Sequence, residues 1–186
     1  MTRKGINAIT VLFLVAFVIL ALGRRGYDEI EGYQTLEKAA EKIRRDFPRV
    51  KPLVPALLPS LMEAPGKLLL IDSREPSEYG ASHLPGAVNL RTVKEVKDHL
   101  TAQKPAPKSL VVYGAIGFRA ATLADEIRSG GHGNVELLEG GIFRWANENR
   151  PLVDPQGRAV TRVHPYNKFY RRLLDPEKRA LLTKEN

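Results

Sequence analysis

The amino-acid sequence predicts an α/β fold with a central parallel sheet covered by helices on both faces. Three observations carry that expectation. Residues 68–71, 111–113 and 135–138 are short runs, apolar except for Glu136 and rich in Leu, Val and Ile, the composition of strands buried on both sides. Residues 92–103 and 120–128 lie between them and repeat apolar side chains three or four apart, as an amphipathic helix does. Strand and helix patterns thus alternate, which a parallel sheet with crossover helices requires.

Residues 5–23 carry no charged side chain, and 9–20 are almost wholly apolar. As a helix these 19 residues would rise about 28 Å, close to a bilayer core of about 30 Å. Lys4 and Arg24 would reach headgroup level at the two ends. An uncleaved transmembrane anchor over residues 1–25 is expected, making the membrane a partner through a single pass. The alternative is a cleaved signal segment ending at Ala21-Leu22-Gly23, but the apolar run exceeds the usual length of about 7 to 15 residues. Cationic residues flank the segment on both sides, so its orientation stays open. Residues 26–49 form a polar connector, helical over 27–47. Its apolar stripe is Ile30, Tyr33, Leu36, Ala40 and Ile43, and Pro48 closes it. It either packs on the domain or holds it away from a membrane.

The globular domain is expected over residues 50–150. Pro52, Pro55 and Pro59 punctuate a short opening strand and helix. Asp72 ends the strand at 68–72, placed to accept hydrogen bonds from the next turn. Glu75-Pro76 opens a helical turn, with Pro where its missing N–H costs nothing. Pro85-Gly86 turns the chain into a strand over 87–90. Val93, Val96 and Leu100 share one face of the helix at 92–103. The strand at 111–113 runs into Gly114-Ala115-Ile116-Gly117-Phe118-Arg119 and then a helix from Ala120, which Ser129-Gly130-Gly131 ends. A short loop entering a helix N-terminus points backbone N–H groups at one spot, within the positive end of the helix dipole. Such a loop can hold an anion.

Three stretches together resemble the rhodanese family. The loop from Gly114 to Arg119 resembles its active-site pattern, Cys-x-x-x-x-Arg after a strand such as Val-Val-Tyr. Asp72-Ser73-Arg74, Glu78-Tyr79 and His83-Leu84-Pro85-Gly86-Ala87 resemble its Asp-x-Arg-x-x-x-Glu-Tyr and His-Ile-Pro-Gly-Ala signatures. Glu139-Gly140-Gly141 followed by Trp145 resembles its closing Glu-Gly-Gly-x-x-x-Trp. The resemblance implies a single rhodanese-like domain and sulfane-sulfur transfer through a Cys persulfide, with the anion steadied by loop N–H groups and nearby cations.

One residue departs from that pattern. Gly114 stands where the family nucleophile does, and the chain contains no Cys. No catalytic residue is therefore expected, and disulfides, thiolate metal sites and persulfide chemistry within the chain are excluded. The six-residue loop length is that of sulfur-handling members; phosphatase relatives use one residue more. Ala115 and Ile116 are apolar, leaving a backbone cradle and Arg119, either an anion ligand or a partner in an ion pair. Ser109 and Thr122 do not reach the loop centre in this register. Asp72, Arg74 and His83 are read as supporting residues: His83 orients its turn, and Arg74 pairs with a carboxylate or lines the pocket.

The sequence thus implies a non-catalytic module binding a small oxyanion or a sulfur-carrying protein partner. Its alternative is a sulfurtransferase acting without a covalent intermediate on bound thiosulfate or a partner's persulfide. No cofactor is expected. No metal is expected either, since the four His, at 83, 99, 132 and 164, have no metal-ligand spacing. The net charge of +8 admits anionic partners, but no pattern supports nucleic acid. Residues 151–186 form a basic extension. From residue 155 on, eight Lys and Arg stand against three acids, and Asp175-Pro176-Glu177 fits the start of a short final helix.

Overall fold

Five parallel strands make the main sheet, and a separate antiparallel pair joins Leu152–Val153 to Ala159–Val160. The structure, a computed structural model, describes residues 34–63 and 68–181. The five strands of the main sheet are β1 (Lys51–Leu53), β2 (Leu68–Asp72), β3 (Val88–Asn89), β4 (Ser109–Tyr113) and β5 (Val135–Leu138), lying in the order β1-β5-β4-β2-β3. The two central runs read as expected: after one half-buried residue, every residue of β2 and β4 is buried. Their register pairs Ile71 with Val112 and Asp72 with Tyr113. Both strands therefore end at the same level, and the turns that follow lie side by side. The strand expected over 87–90 is shorter, pairing only Val88 and Asn89 with Ile71 and Asp72.

Helices cover the sheet. They are α1 (Leu36–Asp46), α2 (Leu58–Met62), α3 (Pro76–Ala81), α4 (Val93–Ala102), α5 (Phe118–Ser129) and α6 (Gly141–Asn147). Alternation along each strand divides the core. Leu69, Ile71, Leu110, Val112, Val135 and Leu137 pack with Ile43 of α1, Val96 of α4 and the Ala120–Ile127 face of α5. α4 starts where Thr92 and Glu95 exchange hydrogen bonds as a capping box, and Glu75 with Glu78 does the same for α3.

Residues 34–186 form one compact unit. α1, which the sequence places in the connector, buries Leu36, Ala39, Ala40 and Ile43 within that unit. The carboxyl extension also packs. Val163, Leu173 and Leu174 are buried, Val163 bridges to Arg179, and Asn147 bonds both Leu173 and Asp175. The final helix is one 3-10 turn, Pro176–Lys178, and Asp175 makes no side-chain cap there. Among the described residues no helix is long and apolar enough to cross a membrane. The expected span over residues 5–23 lies outside them.

Candidate functional site

The parallel register brings the turn after β2, the loop after β4 and the start of α6 together at the carboxyl edge of the sheet, where open α/β sheets present their sites. The loop is shorter than the sequence suggests. Phe118 and Arg119 already belong to the first turn of α5, because Gly117, at φ +124°, acts as its N-cap and its carbonyl accepts from Ala121 N at 2.7 Å. Gly114, Ala115, Ile116 and Gly117 are all buried.

The loop is held from two sides. Its carbonyls are taken by α6: Ile142 N donates to Gly114 O at 2.9 Å and Phe143 N to Ala115 O at 3.1 Å. That approach needs Gly141. Its φ is +55°, and a Cβ there would lie 2.3 Å from Gly114 O. On the other side Ile43 of α1 sits over Gly117, where a Cβ would meet Ile43 Cδ1 at 2.9 Å. Glu139 ties the two sides together by accepting from Arg44 of α1 and from Arg144 of α6. The N–H groups of Ala115, Ile116 and Gly117 make no backbone hydrogen bond among the described residues.

At position 114 there is space for a side chain. A Cβ would make van der Waals contact with Ser73 Oγ at 3.4 Å, Ala120 Cβ at 3.6 Å and Ala120 N at 3.7 Å. The Ser73 hydroxyl is thus the side-chain oxygen beside the vacant nucleophile position. It donates to Tyr113 O at 2.9 Å, a bond to a carbonyl and not to a base, so nothing activates it as a nucleophile.

Arg119 is an ion-pair partner. Nη2 donates to Glu78 Oε2 at 2.7 Å, and Nη1 lies 3.7 Å from Glu75 Oε1. Glu78 is only 2% exposed, so this cation offsets a buried carboxylate. The ring of Tyr166 covers Arg119 from outside, 4.7 Å from Cζ. Beside Arg119 opens a cavity of about 400 Å³, lined among others by Ser73, Glu75, Arg91, Glu95, Thr122 and Glu126. Its lining holds three carboxylates, on Glu75, Glu95 and Glu126, and two guanidiniums, on Arg91 and Arg119.

Asp72, Arg74 and His83 stand behind the loop. Asp72 Oδ1 accepts from Arg74 N at 2.9 Å, and Arg74 Nη2 donates to Asp72 Oδ2 at 2.7 Å and to Ser82 O at 2.7 Å. Both side chains are fully buried. Burial alone would lower the pKa of Arg74, but the Asp72 carboxylate, with smaller contributions from Tyr113 and Glu78, holds the guanidinium above its ordinary value. The Tyr113 phenol, which accepts from Leu84 N, is pushed well above its ordinary value by burial and then by Asp72. His83 stacks on Tyr79 and its Nδ1 lies 3.1 Å from Tyr79 O, holding its own turn. Arg74 and His83 are thus brought to the base of the site, not into the loop. Among the described residues no cluster could hold a metal ion.

Four contributors escaped the sequence reading. Glu78 was visible as part of a motif, but its partner Arg119 lies 41 residues away. Ser73 is placed by the Asp72–Tyr113 register. Thr122 does not reach the loop centre, but it lines the neighbouring cavity one turn along α5 from Phe118, to whose carbonyl its hydroxyl donates. No local signal marks Tyr166.

Known proteins are similar to this chain in sequence and in fold. A sulfurtransferase of Allochromatium vinosum is 31% identical over 94 residues, 48% of this chain and 82% of that protein. The probable adenylyltransferase/sulfurtransferase MoeZ of Mycobacterium tuberculosis is 28% identical over 99 residues, 53% of this chain but only 25% of its own length. A solved thiosulfate sulfurtransferase of Pseudomonas aeruginosa shares the fold with a TM-score of 0.51 at 23% identity, over 56% of this chain and 19% of that one. The model of the rhodanese-like domain matches residues 54–148, from the end of β1 to the end of α6. With its parallel sheet, its loop after β4 and the glycine pair that seals that loop, the chain belongs to the rhodanese-like domain family.

Proposed function

We propose that this chain is a membrane-anchored rhodanese-like module that performs no covalent sulfur transfer and works by binding, with a protein partner a better fit than a small oxyanion. The observation that carries this reading is the state of the two groups on which the family's chemistry would rest. Position 114 bears no side chain, and Arg119 is committed to Glu78 and Glu75 beneath Tyr166. The neighbouring cavity holds more carboxylates than guanidiniums, which disfavours an oxyanion and suits a partner segment carrying donors. The anchor rests on the uncharged residues 5–23.

Thiosulfate–cyanide sulfur transfer by residues 34–186 tests the catalytic half: turnover at background is expected, and robust turnover would overturn it. Alkaline carbonate extraction of membranes tests the anchor; release of the full chain into the supernatant would sink that part alone. A second reading draws on the N–H groups of Ala115, Ile116 and Gly117, which make no backbone hydrogen bond among the described residues. A thiosulfate or a partner's persulfide held there would react in place, its sulfane sulfur passing directly to an attacking thiolate or cyanide as sulfite or the partner's thiolate leaves, with Arg119 and the loop N–H groups stabilising charge and proximity accelerating the step. Saturable turnover that disappears in Arg119→Met would establish it in place of the first.

A further inference from the structure

The carboxyl extension carries a feature that the site does not use. Residues 155–174 contain Arg158, Arg162, Lys168, Arg171 and Arg172 and no acidic side chain. Arg158 is paired with Asp154. Ion pairs among the described residues do not engage Arg162, Lys168 or Arg171. This is not a loose tail. Val163 is buried and bonded through Lys178 and Ala180 at one end, and Leu173 and Leu174 are buried at the other. Between these supports the chain forms a fixed knuckle, stiffened where Asn167 Oδ1 accepts from Phe169 N at 2.9 Å and Tyr170 N at 3.0 Å.

The knuckle presents an exposed aromatic tip on a segment whose Lys168 and Arg171 are also exposed. Phe169 is 53% exposed and Tyr166 is 41% exposed, and Lys168 Nζ lies 5.4 Å from the Phe169 centroid. From these observations we infer that residues 166–172 are a docking surface for a bilayer containing anionic lipid. Phe169 enters the interfacial layer while Lys168 and Arg171 stay at the level of the headgroup phosphates. Nucleic acid fits less well. Tyr166 is spent on Arg119, and its ring is tilted by 49° against Tyr170, so the rings offer no stacking platform for successive bases.

Sedimentation of residues 34–186 with vesicles tests this, because that unit contains the sheet, the core and the knuckle but none of the proposed span. Failure here leaves the anchor and the binding role untouched. Binding is expected to vesicles of phosphatidylcholine with phosphatidylserine, not to phosphatidylcholine alone, and to weaken as salt rises. Lys168→Gln with Arg171→Gln should lower the partition coefficient about 25-fold, at about fivefold per charge. Phe169→Ser should lower it about tenfold. These side chains are exposed, so an unchanged thermal transition is expected and would exclude misfolding as the cause. The inference is overturned by any of three results: no sedimentation with anionic vesicles, equal affinity for neutral ones, or indifference to both variants. Capture of a single-stranded oligonucleotide without vesicle binding would overturn it too.

Discussion

Replacing Gly114 by Cys asks whether the loop keeps its geometry without its nucleophile. The added Cβ meets Ser73 Oγ at 3.4 Å and Ala120 Cβ at 3.6 Å, contacts that need little or no movement. The φ of Gly114 lies outside the left-handed region, so no backbone strain opposes a side chain. Loss of freedom in the unfolded chain favours the variant by about 0.4–1 kcal/mol. The two effects leave its stability within about 1 kcal/mol of the parent's, or a few degrees in Tm. The new thiol would face the N–H groups of residues 115–117 and the start of α5, which favour thiolate. Arg119, neutralised by Glu78, contributes little. A thiol pKa below that of a free Cys is expected. The assay is the pH dependence of alkylation, followed by mass spectrometry after incubation with thiosulfate. The chain holds no other Cys, so every modified molecule reports on position 114. A thiol titrating at or above the free value, or one that acquires no sulfur, would refute the idea that these N–H groups converge there.

Three further outcomes follow from the packing. Gly141→Ala puts a methyl 2.3 Å from Gly114 O in a left-handed conformation, and should cost about 3 kcal/mol or more in urea unfolding. Ile43→Ala removes a side chain 3% exposed that covers Gly117, and should cost about 3 kcal/mol while speeding amide exchange at residues 115–118. Tyr113→Phe should cost about 1–2 kcal/mol at neutral pH by leaving Leu84 N without its partner. In the parent, the folded phenol titrates above its ordinary value of 10.0. That contribution is complete below pH 10 and is lost as pH rises toward the folded value. Parent and variant should therefore converge above pH 10, by about 1.4 kcal/mol per unit. Parallel stability curves there would contradict the burial of Tyr113.

The central strands and the turns between them were legible because their signals are local. Four buried residues in a row mark β2 and β4, and Pro85-Gly86 marks a turn whatever surrounds it. The glycine pair at 140–141 was recognisable as a motif, but its reason was not, since it lies in a carbonyl contributed from 27 residues earlier. Arg119 shows the same limit. Sequence left it between ligand and ion-pair partner, and the choice fell to Glu78 and Glu75, which no helical spacing links to it. The burial of Val163, Leu173 and Leu174 had no periodic pattern to announce it among so many cations. Their contacts are single anchors spread over an irregular segment, and only the folded chain shows what they hold.

α1 has a practical and a mechanical consequence. The segment matched by the family model begins at residue 54, so excising it alone would discard α1 and strand β1 with it. The floor under Gly117 and one of the two arginines holding Glu139 would go as well. A minimal expression fragment should therefore start near residue 34. The mechanical consequence lies within this unit: α1 braces the turn at Gly117 through Ile43 and the Glu139 carboxylate through Arg44, so loosening that helix would loosen the cradle.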